Sequence, residues 1–111
     1  MLAAQFLRYG ERDFYRAHRD STTDRHAADY LRQRRVSVVV FLNQEADQGG
    51  PDTYGGGALR FYGLMDDPLL KDRGLALTGE PSLLIGFRSD TLHEVTPVTR
   101  GERLTIVTWF L

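Results

Sequence analysis

Arg35-Val36-Ser37-Val38-Val39-Val40-Phe41-Leu42 is the stretch on which the fold turns. Valines crowd it, and β-branched side chains suit a pleated, packed surface better than a helix. Asn43 and a polar, glycine-rich segment end the run at a length typical of a strand. Other short runs lie on either side. An apolar segment, Ala4 to Tyr9, opens the chain without declaring its type, and Asp13 to Asp20 continues as an extended stretch. Downstream, Ala58 to Tyr62 follows three glycines, Pro81 introduces Ser82 to Phe87, and His93 to Val98 is bounded by Pro97. Arg103 to Phe110 alternates Leu104 and Ile106 with threonines before Trp109, the pattern of a closing core strand. Only His26 to Arg34 reads as a helix, with Ala27, Ala28, Tyr30 and Leu31 on its apolar side; a loop leading into the valine strand is the alternative. Gln44 to Gly57 reads as a loop, carrying five glycines and Pro51, and Gly63 to Pro81 as a second long connection with Asp66-Asp67-Pro68 inside it. Short strands separated by turns imply an all-β antiparallel sandwich or barrel.

Composition narrows the setting. A chain of 111 residues is one domain with one core. A net charge of −1 gives no reason to expect nucleic acid or an anionic membrane as partner. The bases are arginines apart from Lys71, and they are scattered. The absence of cysteine excludes disulfides and thiolate metal sites, so any metal must be held by imidazole and carboxylate. The longest apolar run, Val38 to Leu42, is too short to span a bilayer, and Arg8, Arg12 and Arg16 interrupt any signal-like opening. The expectation is a cytoplasmic protein.

Within that frame, Tyr15-Arg16-Ala17-His18-Arg19-Asp20 and Thr91-Leu92-His93-Glu94-Val95 stand out. Side chains two apart on a strand share a face, so His18 and Asp20 project together while Arg19 points away. Two histidines and one carboxylate form the ligand set of an iron(II) site with open coordination positions. Three histidines and ten aspartates in this length give about 0.3 chance His-x-Asp pairs, so that motif is weak by itself. The other parts arrive in order: His93, then Arg103 ten positions later on the last strand, where a guanidinium can hold an acidic co-substrate beside the metal. His26, in a polar segment, reads as solvated, with third metal ligand as its alternative. Trp109 reads as core, with the pocket as its alternative. Arg35, Arg60 and Arg88 face either substrate or water.

Taken in sequence, these blocks resemble the Fe(II)/2-oxoglutarate-dependent dioxygenases, specifically the prolyl 4-hydroxylase-like branch. The resemblance runs through Tyr9-Gly10, the aromatic pair Phe14-Tyr15 before His18-Arg19-Asp20, and the strand ending Leu42-Asn43. It continues with Gly56-Gly57 turning into Ala58-Leu59-Arg60-Phe61, then Phe87 to Val98, Gly101-Glu102-Arg103 and Trp109-Phe110. Two positions depart from the family pattern: Asp13 stands where a glycine is common, and Ala58 where an acidic residue is frequent.

The resemblance implies a double-stranded β-helix, or jelly roll, spanning residues 1–111 as one catalytic core with few helices and without the N-terminal elements that buttress the barrel in the family. It implies Fe(II) held by His18, Asp20 and His93, with no catalytic residue beyond the metal site. It implies 2-oxoglutarate chelating that metal, its distal carboxylate paired with Arg103 and hydrogen-bonded by Tyr9 and Thr105. The implied reaction consumes O2, with ascorbate as a reductant, and releases succinate and CO2 while hydroxylating an unactivated C–H bond. A prolyl residue of a protein is the first substrate choice, with a free amino acid or small metabolite next. The competing reading is a non-catalytic jelly-roll binding module that keeps the fold without turnover; a cupin-like enzyme using another metal ranks last, because three histidines are few for that class.

Overall fold

The computed structural model describes residues 3–64 and 73–111; Asp66-Asp67-Pro68, in the second connection, lies outside them. Two four-stranded antiparallel sheets make up the body. The first has the order β1 (Gln5–Tyr9), β11 (Arg103–Phe110), β3 (Val36–Phe41), β8 (Leu84–Arg88). The second has the order β2 (Tyr15–His18), β9 (Leu92–Val95), β6 (Leu59–Tyr62), β7 (Leu75–Leu77). The chain passes back and forth between them: β1 in the first, β2 in the second, β3 in the first, β6 and β7 in the second, β8 in the first, β9 in the second, β11 in the first. That winding is the expected jelly roll.

The valine run earns its central place. β3 pairs with β11 on one side and β8 on the other, and its alternate residues Ser37, Val39 and Phe41 are buried. Val39 and Phe41 meet Leu59, Phe61 and Val95 of the second sheet, and Tyr9, Phe87 and Val107 pack around them. The other face of the first sheet is also apolar. Phe6, Ile106, Val40 and Leu84 stand in one register row across four strands, and Phe6 is 62% exposed and Leu84 60%.

Four sequence expectations change, the first being that the second connection, Gly63 to Pro81, carries the strand β7. The segment Gln44 to Gly57 is not a loop throughout. It contains β4 (Gln44–Glu45) and β5 (Thr53–Gly56), which form a third small sheet with β10 (Val98–Gly101), and Tyr54 is fully buried. Its glycines hide a strand that needs them: Gly56 has φ +67°, and a Cβ there would lie 2.3 Å from the Pro97 carbonyl oxygen. The run His93 to Val98 is divided between β9 and β10 around Thr96-Pro97, since proline cannot donate to a ladder. The helix shrinks to one turn, α1 (Asp29–Gln33), with no side-chain cap and no buried residue, so much of His26 to Arg34 follows the loop alternative. Among the described residues no helix is long and apolar enough to cross a membrane.

Candidate metal centre

β2 and β9 are neighbours, and His18 and His93 are cross-strand partners. Their rings lie 4.3 Å apart between centroids. Asp20, just past the end of β2, completes a group of ligand atoms all within 4.8 Å of one another. Nε2 of His18 lies 3.2 Å and Nε2 of His93 3.3 Å from the same oxygen, Asp20 Oδ1.

The far side of each ring fixes which nitrogen faces the centre. Nδ1 of His18 donates to the Arg16 carbonyl at 2.7 Å, and Nδ1 of His93 donates to the Thr91 carbonyl at 2.8 Å. A carbonyl only accepts, so each Nδ1 carries a proton and each ring turns its Nε2 inward, where it donates to Asp20 when protonated and offers a lone pair to a cation when it is not. Two lone pairs and a carboxylate oxygen then converge, and a cation satisfies all three at once. Phe87 holds His93 edge-on at 4.8 Å, and Tyr15 lies 3.8 Å from the His18 ring.

Asp20 has a second oxygen, and it is fully engaged. Ser37 Oγ donates to Oδ2 at 2.6 Å, and Trp109 Nε1 donates to it at 3.1 Å. Ser89 Oγ stands 2.9 Å behind Ser37 Oγ; the Ser37 proton is committed to Asp20, so Ser89 donates in turn. Burial alone would raise the Asp20 pKa, but the hydrogen bonds from His18, His93 and Ser37 outweigh it and hold the carboxyl below its ordinary range. Burial pulls the His93 pKa down, and its bonds to Asp20 and Thr91 more than reverse this, leaving it raised.

A cavity of about 340 Å³ runs from this cluster between the sheets, and Arg103, Thr105, Val107 and Trp109 line it from one face of β11. Arg103 is 2% exposed, its fork fixed by an Nε hydrogen bond to the Gly57 carbonyl at 2.9 Å. Tyr9 is its cross-strand partner, with the guanidinium carbon 5.5 Å from the Tyr9 ring centroid. Burial lowers the Arg103 pKa, while Tyr54, Tyr9 and Glu45 oppose that shift. Among the described residues no carboxylate lies within 4.0 Å of this buried cation. Thr105 is fully buried, and its Oγ1 has no hydrogen-bond partner among the described residues. A buried guanidinium without a counter-ion and an orphaned hydroxyl on the same strand face make a receptor for a carboxylate. The residues present thus fit both a metal ion and an acidic co-substrate.

The six residues singled out in the sequence are therefore brought together, with His18, Asp20 and His93 at the cluster and Tyr9, Arg103 and Thr105 along the cavity. His26 is exposed and outside the cluster. Trp109 corrects an expectation: it is not core but lines the cavity and bonds Asp20, because β11 parity places 109 on the face of 103 and 105. Arg35 and Arg88 are exposed, and Arg60 faces Glu94 at 3.8 Å. Ser37, Ser89 and Arg34 were missed. The Arg34 guanidinium carbon sits 3.7 Å over the Trp109 ring, and its Nη1 donates to the Asp20 carbonyl at 3.3 Å. Nothing in the sequence separates Arg34 from Arg35, while the parity of β3 would have turned Ser37 inward.

Residues 4–111 match the family model of the 2OG-Fe(II) oxygenase superfamily. The chain belongs to that superfamily. As a 2OG-Fe(II) oxygenase family member it is 35% identical over 107 residues to a PKHD-type hydroxylase of Alteromonas mediterranea, covering 94% of this chain and 41% of that protein. A PKHD-type hydroxylase of Sphingopyxis alaskensis is 40% identical over 74 residues, 67% of this chain and 28% of the relative. The chain thus spans less than half the length of these curated relatives. A crystal structure of a prolyl-4-hydroxylase from Pseudomonas putida superposes with a TM-score of 0.64 at 33% identity, over 96% of this chain and 50% of the other. A viral collagen prolyl hydroxylase from Paramecium bursaria Chlorella virus-1, solved with 2OG, shares the fold at TM-score 0.60 and 22% identity, over 96% of this chain and 59% of that one. For this 2OG-Fe(II) oxygenase family member, then, the jelly roll and the family agree with the sequence reading.

Proposed function

We propose that this chain is the catalytic core of an Fe(II)- and 2-oxoglutarate-dependent hydroxylase acting on a prolyl residue of a protein, with a free amino acid or small metabolite as the next choice of substrate. The carrying observation is the pairing of two incomplete sites in one cavity: three converging candidate ligand atoms, and a buried arginine with no carboxylate within 4.0 Å among the described residues. His18, Asp20 and His93 would hold the iron, and Arg103, Thr105 and Tyr9 the distal carboxylate of 2-oxoglutarate. Iron held there would supply the oxidation chemistry that couples conversion of 2-oxoglutarate to succinate and CO2 with hydroxylation of a substrate C–H bond. The protein's own part is orientation. Ser37 and Trp109 keep one Asp20 oxygen occupied so that the other faces the histidines. Tyr15, Tyr30, Arg34 and Trp109 line the cavity near the metal cluster, and their flat faces suit a compact apolar ring such as that of proline. The names carried by the relatives, hydroxylase and prolyl-4-hydroxylase, support the same reading.

The test is succinate formation from 2-oxoglutarate with Fe(II), ascorbate and O2, beside metal retention. Turnover, including turnover uncoupled from substrate, together with loss of iron in His93→Ala, is the expected result. No succinate and no retained metal in the unaltered protein would leave the non-catalytic binding module instead.

A further inference from the structure

Arg19 and Ser21, the chain neighbours of Asp20, border a second, larger cleft of about 1100 Å³. Arg19, Arg32 and Arg35 line it, together with Ser21, Thr22 and Thr23. Asp29 and Asp90 also border it, but Asp90 is held by Arg88 at 2.8 Å, and Asp29 faces Arg32 at 3.8 Å. Arg19 and Arg35 are exposed and have no ion-pair partner among the described residues. Charge is concentrated there. The cleft lining holds three arginines against two aspartates, net +1, on a chain whose total is −1. A basic cleft on an otherwise acidic molecule attracts anions selectively and sets their approach.

We infer that this cleft binds an acidic stretch of a polypeptide substrate, lying next to the residue presented to the metal centre. The inference rests on the hydroxylase reading for what happens at the centre, and on the cleft alone for the acidic partner. A polypeptide fits better than a small anion, because Asp20 borders the first cavity while its chain neighbours Arg19 and Ser21 border the second, and an extended chain advances only about 3.3 Å per residue. One substrate can therefore occupy both cavities through neighbouring residues. The hydroxyls of Ser21, Thr22 and Thr23 suit the peptide groups between, and the arginines suit carboxylates.

Fluorescence anisotropy on the full chain, free of metal and 2-oxoglutarate, tests this with fluorescein-labelled hexaglutamate against hexaglutamine. Hexaglutamate is expected to bind on the order of tenfold more tightly at low salt, with the preference shrinking as salt rises. The preference should vanish in Arg19→Gln/Arg35→Gln, checked for folding by circular dichroism, and persist in Arg8→Gln, which lies outside the cleft. Equal affinity for the two peptides, a preference unchanged by the double substitution, or tighter binding of a labelled oligouridylate would overturn it. Because no turnover is read, a failure here is separate from a failure to form succinate.

Discussion

Replacing Thr105 with valine is expected to move stability and co-substrate affinity in opposite directions. Thr105 is fully buried, and its Oγ1 has no partner among the described residues. An unpaired buried hydroxyl costs roughly 1–3 kcal/mol, and valine replaces it with a methyl group of the same shape and equal liking for a strand. The metal-free protein should gain about 1–2 kcal/mol, which for a domain near this size raises Tm by roughly 4–8 °C per kcal/mol. The same hydroxyl, if it donates to the distal carboxylate of 2-oxoglutarate, contributes a charge-assisted hydrogen bond of about 1.5–3 kcal/mol, so Thr105→Val should weaken co-substrate binding by about ten- to a hundredfold. Thermal melts of the chelator-treated protein read the first effect. Calorimetric titration of 2-oxoglutarate into the Mn(II)-loaded protein reads the second. A variant that melts lower than the parent and binds 2-oxoglutarate equally well would refute both the orphan hydroxyl and its role.

Arg103→Ala should lower 2-oxoglutarate affinity at least about a hundredfold while sparing metal affinity, and Arg103→Lys should recover only part, since an ammonium cannot reproduce the planar fork; equal affinity in all three proteins would remove Arg103 from the site. The stability of the metal-free protein should depend on pH on both sides. The lowered Asp20 pKa contributes stability that is present above its ordinary 3.8 and lost as pH falls through the lowered value. The raised His93 pKa contributes stability that is present below its ordinary 6.5 and lost as pH rises through the raised value. Melting temperature should therefore decline as pH rises above 6.5, and His93→Phe should flatten that limb; an identical decline in the variant would locate its cause elsewhere. Gly56→Ala should destabilise by more than about 2 kcal/mol, because positive φ strain adds to the clash with the Pro97 carbonyl, and a denaturant midpoint unchanged by the substitution would contradict this.

What was legible in the sequence was what local chemistry dictates. The valine strand needs only its own side chains to declare itself, and β11 reads as a strand because its alternation survives from Arg103 to Trp109. The converging cluster was legible because His18 and Asp20 sit two apart and His93 stands in a block that only the family resemblance could align. Pairings between distant segments were not. β5 reads as loop because Gly55 and Gly56 dilute the strand preference of Thr53 and Tyr54, and pairing with β10 and β4 makes it a strand. Trp109 was misplaced for a related reason: the core and the cavity lie on the same face of β11, and the distinction depends on Ser37 opposite it being small and polar. Arg34 belongs to the site through its stack on that tryptophan, a contact that spans most of the chain and leaves no local trace.

The two oxygens of Asp20 look in different directions, and this ties the chemistry to mechanics. Oδ2 is anchored to Ser37 and Trp109, on β3 and β11 of the first sheet, while Oδ1 faces histidines on β2 and β9 of the second. An ion bound at Oδ1 would act as a rivet through the sandwich, joining two layers otherwise held by a modest apolar core. Its binding free energy then becomes folding free energy, about 2.7 kcal/mol when the free metal is at a hundredfold excess over its dissociation constant. Proteolysis should accordingly quicken on chelation, first where the layers part, so that loss of a bound metal would mark the protein for degradation.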